Sequence, residues 1–401
     1  MFRAYDVRGK YGSVVTKDNF FKLGKALNEF SSELVLGMDC REHNSLLAGA
    51  LASGFDGEET FLGVSPTPAT CFLSEKLGVC VTASHNPVGD AGAKMFLEKK
   101  PFFEEQMFSL NAKYSAEKAR SFKGVELVQK DLLDEYVYAL PSCEAGVFDL
   151  AGGAVTSLKR VFPRTIFSEP DARFEKHSPE PTKAALSELI ALSKRENCLG
   201  FAFDGDGDRL SVVDSGEFVL PSVLVAFIAK NFLKKNDGIV LTIDFPEELF
   251  SLLRDSGFKV FESRVGDVFV LEKALKEKAV FSAEVGGHYS FLDFMPHSDG
   301  VYAASLLSRV KPGSIASCVE FKRFTLYDAF PGLFDLTAFK ESALALNPVE
   351  TSFIDGVKAV FEDYSFLVRH SNTQEKTRVM IEAETREKAL SVLKLITSFF
   401  V

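Results

Sequence analysis

The chain has 401 residues, too many for one hydrophobic core, so we expect two to four domains. Hydrophobic residues make up 46% of it and charged residues 25%, proportions typical of a soluble globular protein. A net charge of −10 argues against nucleic acid or an anionic membrane as the main partner, whereas small anionic substrates remain compatible with it.

Cysteine spacing and the N-terminal residues bear on the cellular compartment. The six cysteines are scattered and form no C-x-x-C pair, as expected of reduced thiols in a cytoplasmic protein. The opening MFRAYDVRGKYG is charged and lacks the apolar core of a signal peptide. No run approaches the ~18 apolar residues of a membrane-spanning helix. We therefore expect a cytoplasmic protein.

A pattern of strands and helices occurs three times in the chain. Each copy opens with an apolar, strand-like segment that ends at an aspartate: LVLGMD at Asp39, GVFD at Asp149 and IVLTID at Asp244. A helical stretch, a second short strand, another helix and a third strand follow. The helices are amphipathic, as in PTKAALSELIALSKREN over 181–197. The alternation predicts three α/β domains with mixed or mostly parallel sheets covered by helices on both faces.

The pattern changes after about residue 325. A Phe-rich stretch precedes a helix around Ala338–Leu346, strands around Val357–Val368 and Arg378–Glu382, and a last helix at Arg386–Phe399. These elements predict a smaller, C-terminal α+β domain. The predicted domain boundaries are 1–135, 136–233, 234–325 and 326–401.

The loop after the third strand differs among the three copies: TASHNP at 82–87, DGDGDR at 204–209 and EVGGHY at 284–289. Ligands of open α/β sheets bind beyond the carboxyl ends of the strands, where these loops lie. We therefore expect the three loops to share one cleft and to carry different parts of one chemistry.

The DGDGDR loop is the strongest metal signal in the sequence. Its three aspartates alternate with glycines, so they can converge on one hard cation (Asp204, Asp206, Asp208). An EF-hand is excluded because its sixth and twelfth positions, normally Gly and Glu, are Arg209 and Ser215. Three carboxylates provide fewer oxygen ligands than calcium takes. They suit magnesium, which needs fewer protein ligands and also binds phosphate oxygens. The alternative is a solvated acidic turn.

The TASHNP loop offers a serine nucleophile. The Asn-Pro turn after a strand predicts that Ser84 is displayed at the loop tip, with His85 beside it and Lys94 beyond a glycine-containing bend. The G-x-S-x-G pattern of the α/β-hydrolases is missing, whereas a serine near magnesium suits phosphoryl transfer. On its own, such a serine could equally cap a helix.

Two further segments suit sugar and phosphate ligands. RHSNTQEKTR places Arg369 and Arg378 around hydroxyl and amide side chains, which are the groups a phosphate dianion requires. In EVGGHYSF, the Glu284 carboxylate can accept two sugar hydroxyls. Each segment alone could be a solvated surface turn.

Together these motifs resemble the α-D-phosphohexomutase family over essentially the whole chain and in the family's order of loops. FRAYDVRG resembles its opening motif, TASHNP its phosphoserine loop, DGDGDR its magnesium loop, EVGGH its sugar loop and RHSNT…R its phosphate loop. The resemblance implies four domains in a heart-shaped molecule around a central cleft. It also implies conversion of hexose 1-phosphate to hexose 6-phosphate through a phosphoserine and a bisphosphorylated sugar.

The resemblance assigns roles to individual residues. The implied catalytic residues are Arg8, Ser84, His85, Lys94 and Arg209, with Ser84 as phosphate carrier and Lys94 as general acid or base. Ser84 and the three aspartates would hold one Mg²⁺. The implied sugar contacts are Asp267, Glu284, Gly286 and His288, and the implied phosphate contacts are Arg369, Ser371, Asn372, Thr373 and Arg378. Expected partners are hexose phosphates, with a hexose 1,6-bisphosphate as activator and intermediate, in a monomer or homodimer.

The chain departs from the family pattern at several positions. Gly286 stands where the sugar loop usually carries serine, and Gln374 and Glu375 replace the usual Glu-Pro of the phosphate loop. Asp267 in SRVGDVFV is closer to phosphoglucosamine mutases, whereas FRAYDVRG is closer to phosphomannomutase/phosphoglucomutases. We rank mannose and glucose phosphates first and glucosamine phosphate as the alternative. A phosphatase and a non-catalytic sugar-phosphate-binding relative are further alternatives.

Overall fold

The structure, a computed structural model, describes residues 1–117, 127–371 and 375–400. By their contacts these residues form two compact units. The first comprises Met1–Leu220 with Gly286–Ala316, and the second Pro221–Val285 with Ser317–Val401. The four domain boundaries predicted from the sequence are a finer division and stay a prediction.

The first sheet, in the first unit, is mixed. Its strands are β1 (Val7–Lys10), β2 (Glu33–Met38), β3 (Glu58–Val64), β4 (Leu77–Val81), β5 (Asp90–Leu97) and β6 (Lys100–Pro101). The accompanying helices are α1 (Lys17–Leu27), α2 (Asn44–Gly54), α3 (Thr67–Leu73), α4 (Glu104–Ala116) and α5 (Leu133–Ala139). Strand β2 pairs in parallel with β3 and β4, whereas β5 is antiparallel to β4 and β1. The carboxyl ends of β2 and β4 therefore meet at one edge.

The second sheet, also in the first unit, repeats this arrangement. Its strands are β7 (Val147–Asp149), β8 (Thr165–Ile166), β9 (Leu199–Phe203), β10 (Leu210–Asp214) and β11 (Glu217–Phe218). Strand β7 pairs in parallel with β8 and β9, and β10 is antiparallel to β9. A 3₁₀ helix (Ala154–Val161) follows β7, and α6 (Ser187–Glu196) precedes β9.

The third copy begins in the second unit with α7 (Pro221–Phe232). Its further elements there are β12 (Gly238–Thr242), α8 (Glu247–Asp255), β13 (Lys259–Ser263), α9 (Asp267–Glu277) and β14 (Phe281–Ala283). Strand β12 pairs in parallel with β13 and β14. The chain then continues in the first unit with β15 (Tyr289–Phe291) and α10 (Gly300–Leu307).

The three copies confirm the predicted repeat. In each, the first strand is central, and the second and third strands flank it in parallel. Two details differ from the prediction. Helix α6 begins only at Ser187, because Thr182 to Leu186 form a turn in which the Thr182 carbonyl accepts the backbone N–H of Leu186. The stretch after β7 is a 3₁₀ rather than an α-helix.

The last sheet, in the second unit, is antiparallel and confirms the α+β prediction. Its strands are β16 (Phe324–Pro331), β17 (Glu350–Ser352), β18 (Val357–Val360), β19 (Tyr364–His370) and β20 (Lys376–Ala383), in the spatial order β16-β20-β19-β18-β17. Its helices are α11 (Leu336–Ala345) and α12 (Arg386–Thr397). Phenylalanine rings fill its core, where Phe339 packs against Phe366 and Phe400.

Each of the six cysteines carries a free thiol, buried at Cys71 and Cys80 and partly exposed at the others. Burial raises the pKa of the Cys40 thiol to about 12, so this thiol is a poor nucleophile at neutral pH. Within the described ranges, every helix is too short or too polar to cross a bilayer.

A buried lysine joins elements of the third and the last sheets within the second unit. The Lys358 side chain on β18 is 2% exposed, and its Nζ lies 2.8 Å from the Glu247 carboxylate and 2.5 Å from that of Glu262. The buried Glu382 carboxylate on β20 accepts the backbone N–H groups of Glu247 and Glu248 at the start of α8. Lys358 is thus paired with two carboxylates and Glu382 is hydrogen-bonded to two backbone N–H groups, so removing Lys358 leaves negative charge poorly compensated at a buried site.

We expect Lys358→Met to lower the free energy of unfolding of the second unit by about 3–5 kcal/mol. The reason is that the Glu262 carboxylate would lose its ion pair with Lys358, and Glu247 would keep, among the described residues, only Arg254, 3.4 Å away. Urea denaturation followed by circular dichroism measures the change. Lys388→Met is the matched control, because Lys388 forms an exposed ion pair with Asp363, and such pairs contribute little. Equal effects of the two variants would contradict the prediction.

Candidate active site

The predicted nucleophile lies in the loop between β4 and β5. Ser84 has a left-handed backbone, with φ of 52°, and is 1% exposed rather than displayed at the loop tip. Its Oγ donates a 2.7 Å hydrogen bond to Oδ2 of Asp204 and lies 3.2 Å from Nδ1 of His85. The backbone N–H of Ser84 donates to Oγ1 of Thr82. The serine hydroxyl therefore points at the acidic loop after β9.

The acidic loop gathers three buried carboxylates. One ligand oxygen from each of its three aspartates lies within 4.8 Å of the others (Asp204, Asp206, Asp208). Gly207 has φ of +79°, a conformation that favours glycine, and a Cβ at Gly205 would lie 2.6 Å from the Ser84 carbonyl oxygen. The glycines thus permit both the tight turn and the close approach of the serine loop.

The donor set of this loop fits a magnesium ion. Among the described residues, the buried Oδ1 of Asp206 accepts no hydrogen bond. Burial, together with the neighbouring Asp206 and Asp208, raises the pKa of Asp204 to about 8. Against the effect of burial, Lys94 balances part of the negative charge of the cluster and helps to lower the pKa values of Asp206 and Asp208, and oxygen ligands of this kind are those that Mg²⁺ takes.

Lys94 and Thr67 fix the orientation of the carboxylates. The Lys94 Nζ on β5 lies 2.8 Å from Oδ2 of Asp206 and 2.5 Å from Oδ2 of Asp208. At the start of α3, Thr67 donates its Oγ1–H to the same Asp206 oxygen at 2.6 Å and its backbone N–H to the Asp206 carbonyl. Sequence reasoning predicted Lys94 but missed Thr67, which carries no motif of its own.

Arg209 and His288 extend the cluster on its other side. The backbone N–H of Arg209 donates to Oδ1 of Asp204, and its Nε–H donates to Nε2 of His288 at 3.2 Å. The same imidazole nitrogen lies 3.3 Å from Oδ1 of Asp208. His288, predicted as a sugar contact, therefore lies against the acidic loop. The first unit thus brings a residue of the third predicted loop to the second loop.

Arg8 and His85 complete the group in the first unit. On β1, Arg8 donates to Oδ1 of Asn86 at 2.8 Å and pairs with Asp6 at 2.7 Å. Burial, with Arg209 and Arg8 nearby, holds the pKa of His85 well below its usual range. The His85 imidazole beside the serine hydroxyl is therefore neutral at physiological pH.

In the second unit, a cavity of about 260 Å³ is lined by Arg369 and Arg378 together with Asp244 and Tyr327. The two arginines are direct partners on the antiparallel strands β19 and β20. Like charges placed opposite each other repel, and an anion held by both would remove the repulsion. The pair therefore suits the phosphate ligand that its sequence segment predicts.

Two carboxylates orient Arg369. Its guanidinium lies 3.8 Å from Oδ2 of Asp244 and 3.6 Å from Oδ2 of Asp355. Asp355 also accepts the backbone N–H of Val265 at 3.0 Å, which ties the arginine to the loop before α9. Neither carboxylate partner of Arg369 was recognised from the sequence as part of a phosphate site.

The other predicted sugar and phosphate residues divide between the units. Glu284 directly follows β14 in the second unit and is close enough to raise the pKa of Asp244, whereas Gly286 is exposed and belongs to the first unit. Asp267 is the first residue of α9 and is half-buried. Ser371 donates its backbone N–H to the Lys376 carbonyl. Asn372, Thr373 and Gln374 lie outside the described residues.

Known proteins are similar to this chain along its whole length. Models of the phosphoglucomutase/phosphomannomutase family match in four parts: α/β/α domain I at residues 1–121, domain II at 149–217, domain III at 221–315 and the C-terminal domain at 328–397. A phosphoglucosamine mutase of Nautilia profundicola is 31% identical, over 100% of this chain and 98% of its own. The chain belongs to the phosphoglucomutase/phosphomannomutase family.

Other members of the family agree with this assignment. A phosphomannomutase/phosphoglucomutase of Pseudomonas syringae is 27% identical over 96% of this chain and 92% of its own. The fold is also that of a family protein from Burkholderia thailandensis, with a TM-score of 0.85 at 24% identity over 99% of this chain and 96% of the other. The chain is accordingly an enzyme, a phosphohexomutase.

Two of the departures from the family pattern lie at exposed positions, whereas a third, Asp267, is half-buried. Gly286 is exposed, and so is Glu375, whose carbonyl accepts the backbone N–H of Gly332. The negative charge at Glu375 is therefore largely solvated and weakens a nearby phosphate site little.

The cavity lined by Arg369 and Arg378 is expected to bind anions in a way that depends on pH. Burial raises the pKa of Asp244 to about 6, although Arg369 opposes the shift. Above pH 6 the ionised Asp244 competes with a bound anion for Arg369; below it, the neutral carboxyl does not. We expect sulfate to bind about tenfold more tightly at pH 5 than at pH 7.

Isothermal titration calorimetry at constant ionic strength measures this effect, with sulfate chosen because a phosphate monoester itself titrates near pH 6. Asp244→Asn is expected to bind sulfate tightly at both pH values, and Arg369→Met to bind it weakly at both. A pH step that persists unchanged in Asp244→Asn would contradict the assignment to Asp244.

Proposed function

We propose that this phosphohexomutase moves a phosphate between O1 and O6 of a hexose, with Ser84 as the covalent carrier. One observation carries the proposal: the Ser84 hydroxyl, in a buried loop, donates to Asp204 of the three-carboxylate cluster at 2.7 Å. A nucleophile beside a magnesium site is the arrangement that phosphoryl transfer requires.

The phosphate would pass from Ser84 to the sugar and back. The bond between phosphorus and the serine Oγ breaks as a free sugar hydroxyl bonds to phosphorus and loses its proton, which gives a hexose 1,6-bisphosphate. The bisphosphate turns end for end, and Ser84 takes the other phosphate. The same hexose 1,6-bisphosphate therefore phosphorylates the resting enzyme and activates it.

The chain's own residues supply the remaining parts. A magnesium ion held by Asp204, Asp206 and Asp208 would neutralise charge on the transferring phosphoryl group. Lys94, 13% exposed and in contact with two of these carboxylates, is the candidate general acid and base: its ammonium group would give a proton to the leaving serine oxygen, and the neutral amine would then take the proton of the attacking hydroxyl. In the second unit, Arg369 and Arg378 would hold the phosphate that is not reacting.

The test is intact mass with peptide mapping of the purified protein before and after incubation with glucose 1,6-bisphosphate and magnesium. We expect one added phosphate on Ser84 and its removal by mannose 1-phosphate or glucose 1-phosphate. No phosphate on Ser84 under any of these conditions would overturn the carrier role. A phosphoserine that loses its phosphate only to water would favour a phosphatase instead.

For the sugar, we propose mannose and glucose phosphates first, on the family's opening motif FRAYDVRG, and glucosamine phosphate second. Asp267 favours the second candidate, because its carboxylate could pair with the ammonium group at C2 of glucosamine. The 31% identical relative, a phosphoglucosamine mutase, supports the same candidate. Both sugars use the same carrier and metal site.

If the enzyme prefers glucosamine phosphate, we expect Asp267→Asn to lower kcat/KM for glucosamine 1-phosphate about tenfold or more, since a charged hydrogen bond is lost. The value for glucose 1-phosphate should hardly change. Steady-state assays with both sugars measure this, and Asp255→Asn, at an exposed position of α8, is the control. Parallel losses for both sugars would contradict a role in recognising C2.

A further inference from the structure

The backbone of the serine loop converges on one buried guanidinium. Arg41 donates from Nη2 to the carbonyl oxygens of Ser84 at 2.8 Å and Asn86 at 2.7 Å, and from Nη1 to that of Pro87 at 2.8 Å. The Arg41 side chain is 0% exposed. A single side chain thus binds three of the four carbonyl groups from Ser84 to Pro87.

Arg41 is itself held in place from two sides. Its Nε lies 3.2 Å from Oδ2 of Asp39, the aspartate just beyond β2, and that carboxylate also accepts hydrogen bonds from Thr82 and Asn44. The guanidinium lies over the ring of Phe174, 5.3 Å from its centroid. The charge is therefore paired and its plane is fixed, as a buried arginine requires.

This arrangement matters because of the backbone at Ser84. A residue with a Cβ is disfavoured in the left-handed region, and Ser84 has φ of 52°. Such a conformation persists only where surrounding contacts impose it. The carbonyl of Ser84 is held by Arg41 and its hydroxyl by Asp204, so relaxation of the backbone would turn the hydroxyl away from the acidic loop.

We propose that Arg41 is a positioning residue for phosphoryl transfer, one that holds the serine loop so that Oγ of Ser84 is aimed at the Asp204 carboxylate. The proposal rests on the function proposed above. Arg41 bonds to backbone carbonyls and to Asp39 and reaches neither Oγ of Ser84 nor the acidic loop in these contacts. Lysine can replace it only in part, because one ammonium cannot span three carbonyls and a carboxylate as the planar guanidinium does.

The experiment compares Arg41→Gln, Arg41→Lys and the control Arg173→Gln. Arg173 is an exposed arginine that pairs with Glu42, close in sequence to Arg41. For Arg41→Gln we expect kcat for glucose 1-phosphate to fall about 10²-fold, the effect of misplacing a reacting group by about an ångström. We expect KM to stay within about threefold, because sugar-phosphate binding is not the step affected. The kcat of Arg41→Lys should lie between those of the wild type and Arg41→Gln. The kcat of Arg173→Gln should equal that of the wild type.

Two further readouts separate positioning from general structural damage. The rate at which glucose 1,6-bisphosphate phosphorylates Ser84 should fall in parallel with kcat. Amide hydrogen exchange of residues 83–90 should accelerate in Arg41→Gln, while that of β2 and β4 stays unchanged. If Arg41→Gln does not fold, Arg41→Lys, which keeps the buried charge, carries the same comparison.

Wild-type kcat and wild-type exchange in a folded Arg41 variant would overturn the proposal. So would a raised KM with an intact kcat, since that would place Arg41 in substrate binding. A wild-type protein that never acquires phosphate on Ser84 would instead refute the proposed function. The exchange measurement would still decide whether Arg41 holds the loop.

Discussion

Ser84→Ala is expected to lower kcat/KM for the conversion of glucose 1-phosphate to glucose 6-phosphate by a factor on the order of 10⁴–10⁶, the scale on which loss of a covalent nucleophile acts. Alanine keeps the Cβ and therefore the backbone strain at this position, but it removes the atom that would carry the phosphate. The protein should fold, and it should no longer acquire phosphate from glucose 1,6-bisphosphate.

Phosphorus NMR of the reaction mixture measures the conversion, and intact mass measures the phosphorylation. Ser157→Ala is the matched control, because Ser157 is half-buried and donates only within its own 3₁₀ helix, to the Ala154 carbonyl. Calorimetry with the bisphosphate should still detect binding by the alanine variant. Conversion at more than about a tenth of the wild-type rate would exclude Ser84 as the obligatory carrier.

Asp206→Asn has the second-largest expected effect. The substitution removes the charge of a carboxylate whose Oδ2 is fixed by Thr67 and Lys94 and whose Oδ1 is buried without a hydrogen bond in the described structure. We expect Mg²⁺ affinity to fall by at least about 10²-fold, since loss of even an outer-shell partner costs 10–100-fold. Activity should fall with it and recover in part at high magnesium.

Calorimetric titration of the chelator-treated protein with Mg²⁺ gives the affinity independently of turnover. Asp134→Asn is the control, an exposed aspartate of α5 that pairs with Arg160. Unchanged Mg²⁺ affinity in Asp206→Asn would remove this residue from the metal site. Undiminished activity of the chelator-treated wild-type protein would remove the metal from the reaction.

The sequence pattern was sufficient for the repeated scaffold and for the acidic loop. Apolar strands ending at Asp39, Asp149 and Asp244 predicted three sheets of one design, and the structure has them with the first strand central in each. Alternating aspartates and glycines predicted that three carboxylates converge. Both predictions depend on local periodicity, which a single sequence contains.

What the pattern could not supply is contact between residues far apart in the chain. The clamp of Arg41 on the serine loop spans more than 40 residues, and the bond from Thr67 to Asp206 spans 139. Neither residue lies in a distinctive motif. Ser84 was expected at an exposed loop tip, because an Asn-Pro turn gives no information about the second loop that covers it.

The strand-end aspartates share a property that the sequence did not reveal. Each faces a cationic or ionisable partner: Asp39 lies 3.2 Å from Arg41, Asp149 lies 3.2 Å from His177, and Asp244 lies 3.8 Å from Arg369. Burial opposes ionisation of His177, but Asp149 raises its pKa above the usual value. In each of the three copies, the aspartate at the carboxyl end of the first strand therefore lies close to a cationic or ionisable side chain.

The first unit is built from two separate parts of the chain, Met1–Leu220 and Gly286–Ala316, and the second part is synthesised later. Residues 286–316 contribute Asp299, which accepts the hydroxyl hydrogen bond of the buried Tyr136, and three backbone N–H groups that bind the buried Asp214 carboxylate. Without residues 286–316, Tyr136 lacks its carboxylate acceptor, and the Asp214 carboxylate keeps, among the described residues, only the hydroxyl hydrogen bond from Ser215. The first unit is therefore complete only after residues 286–316 have been synthesised, and a fragment cut at residue 220 should be less stable than the first unit of the whole chain.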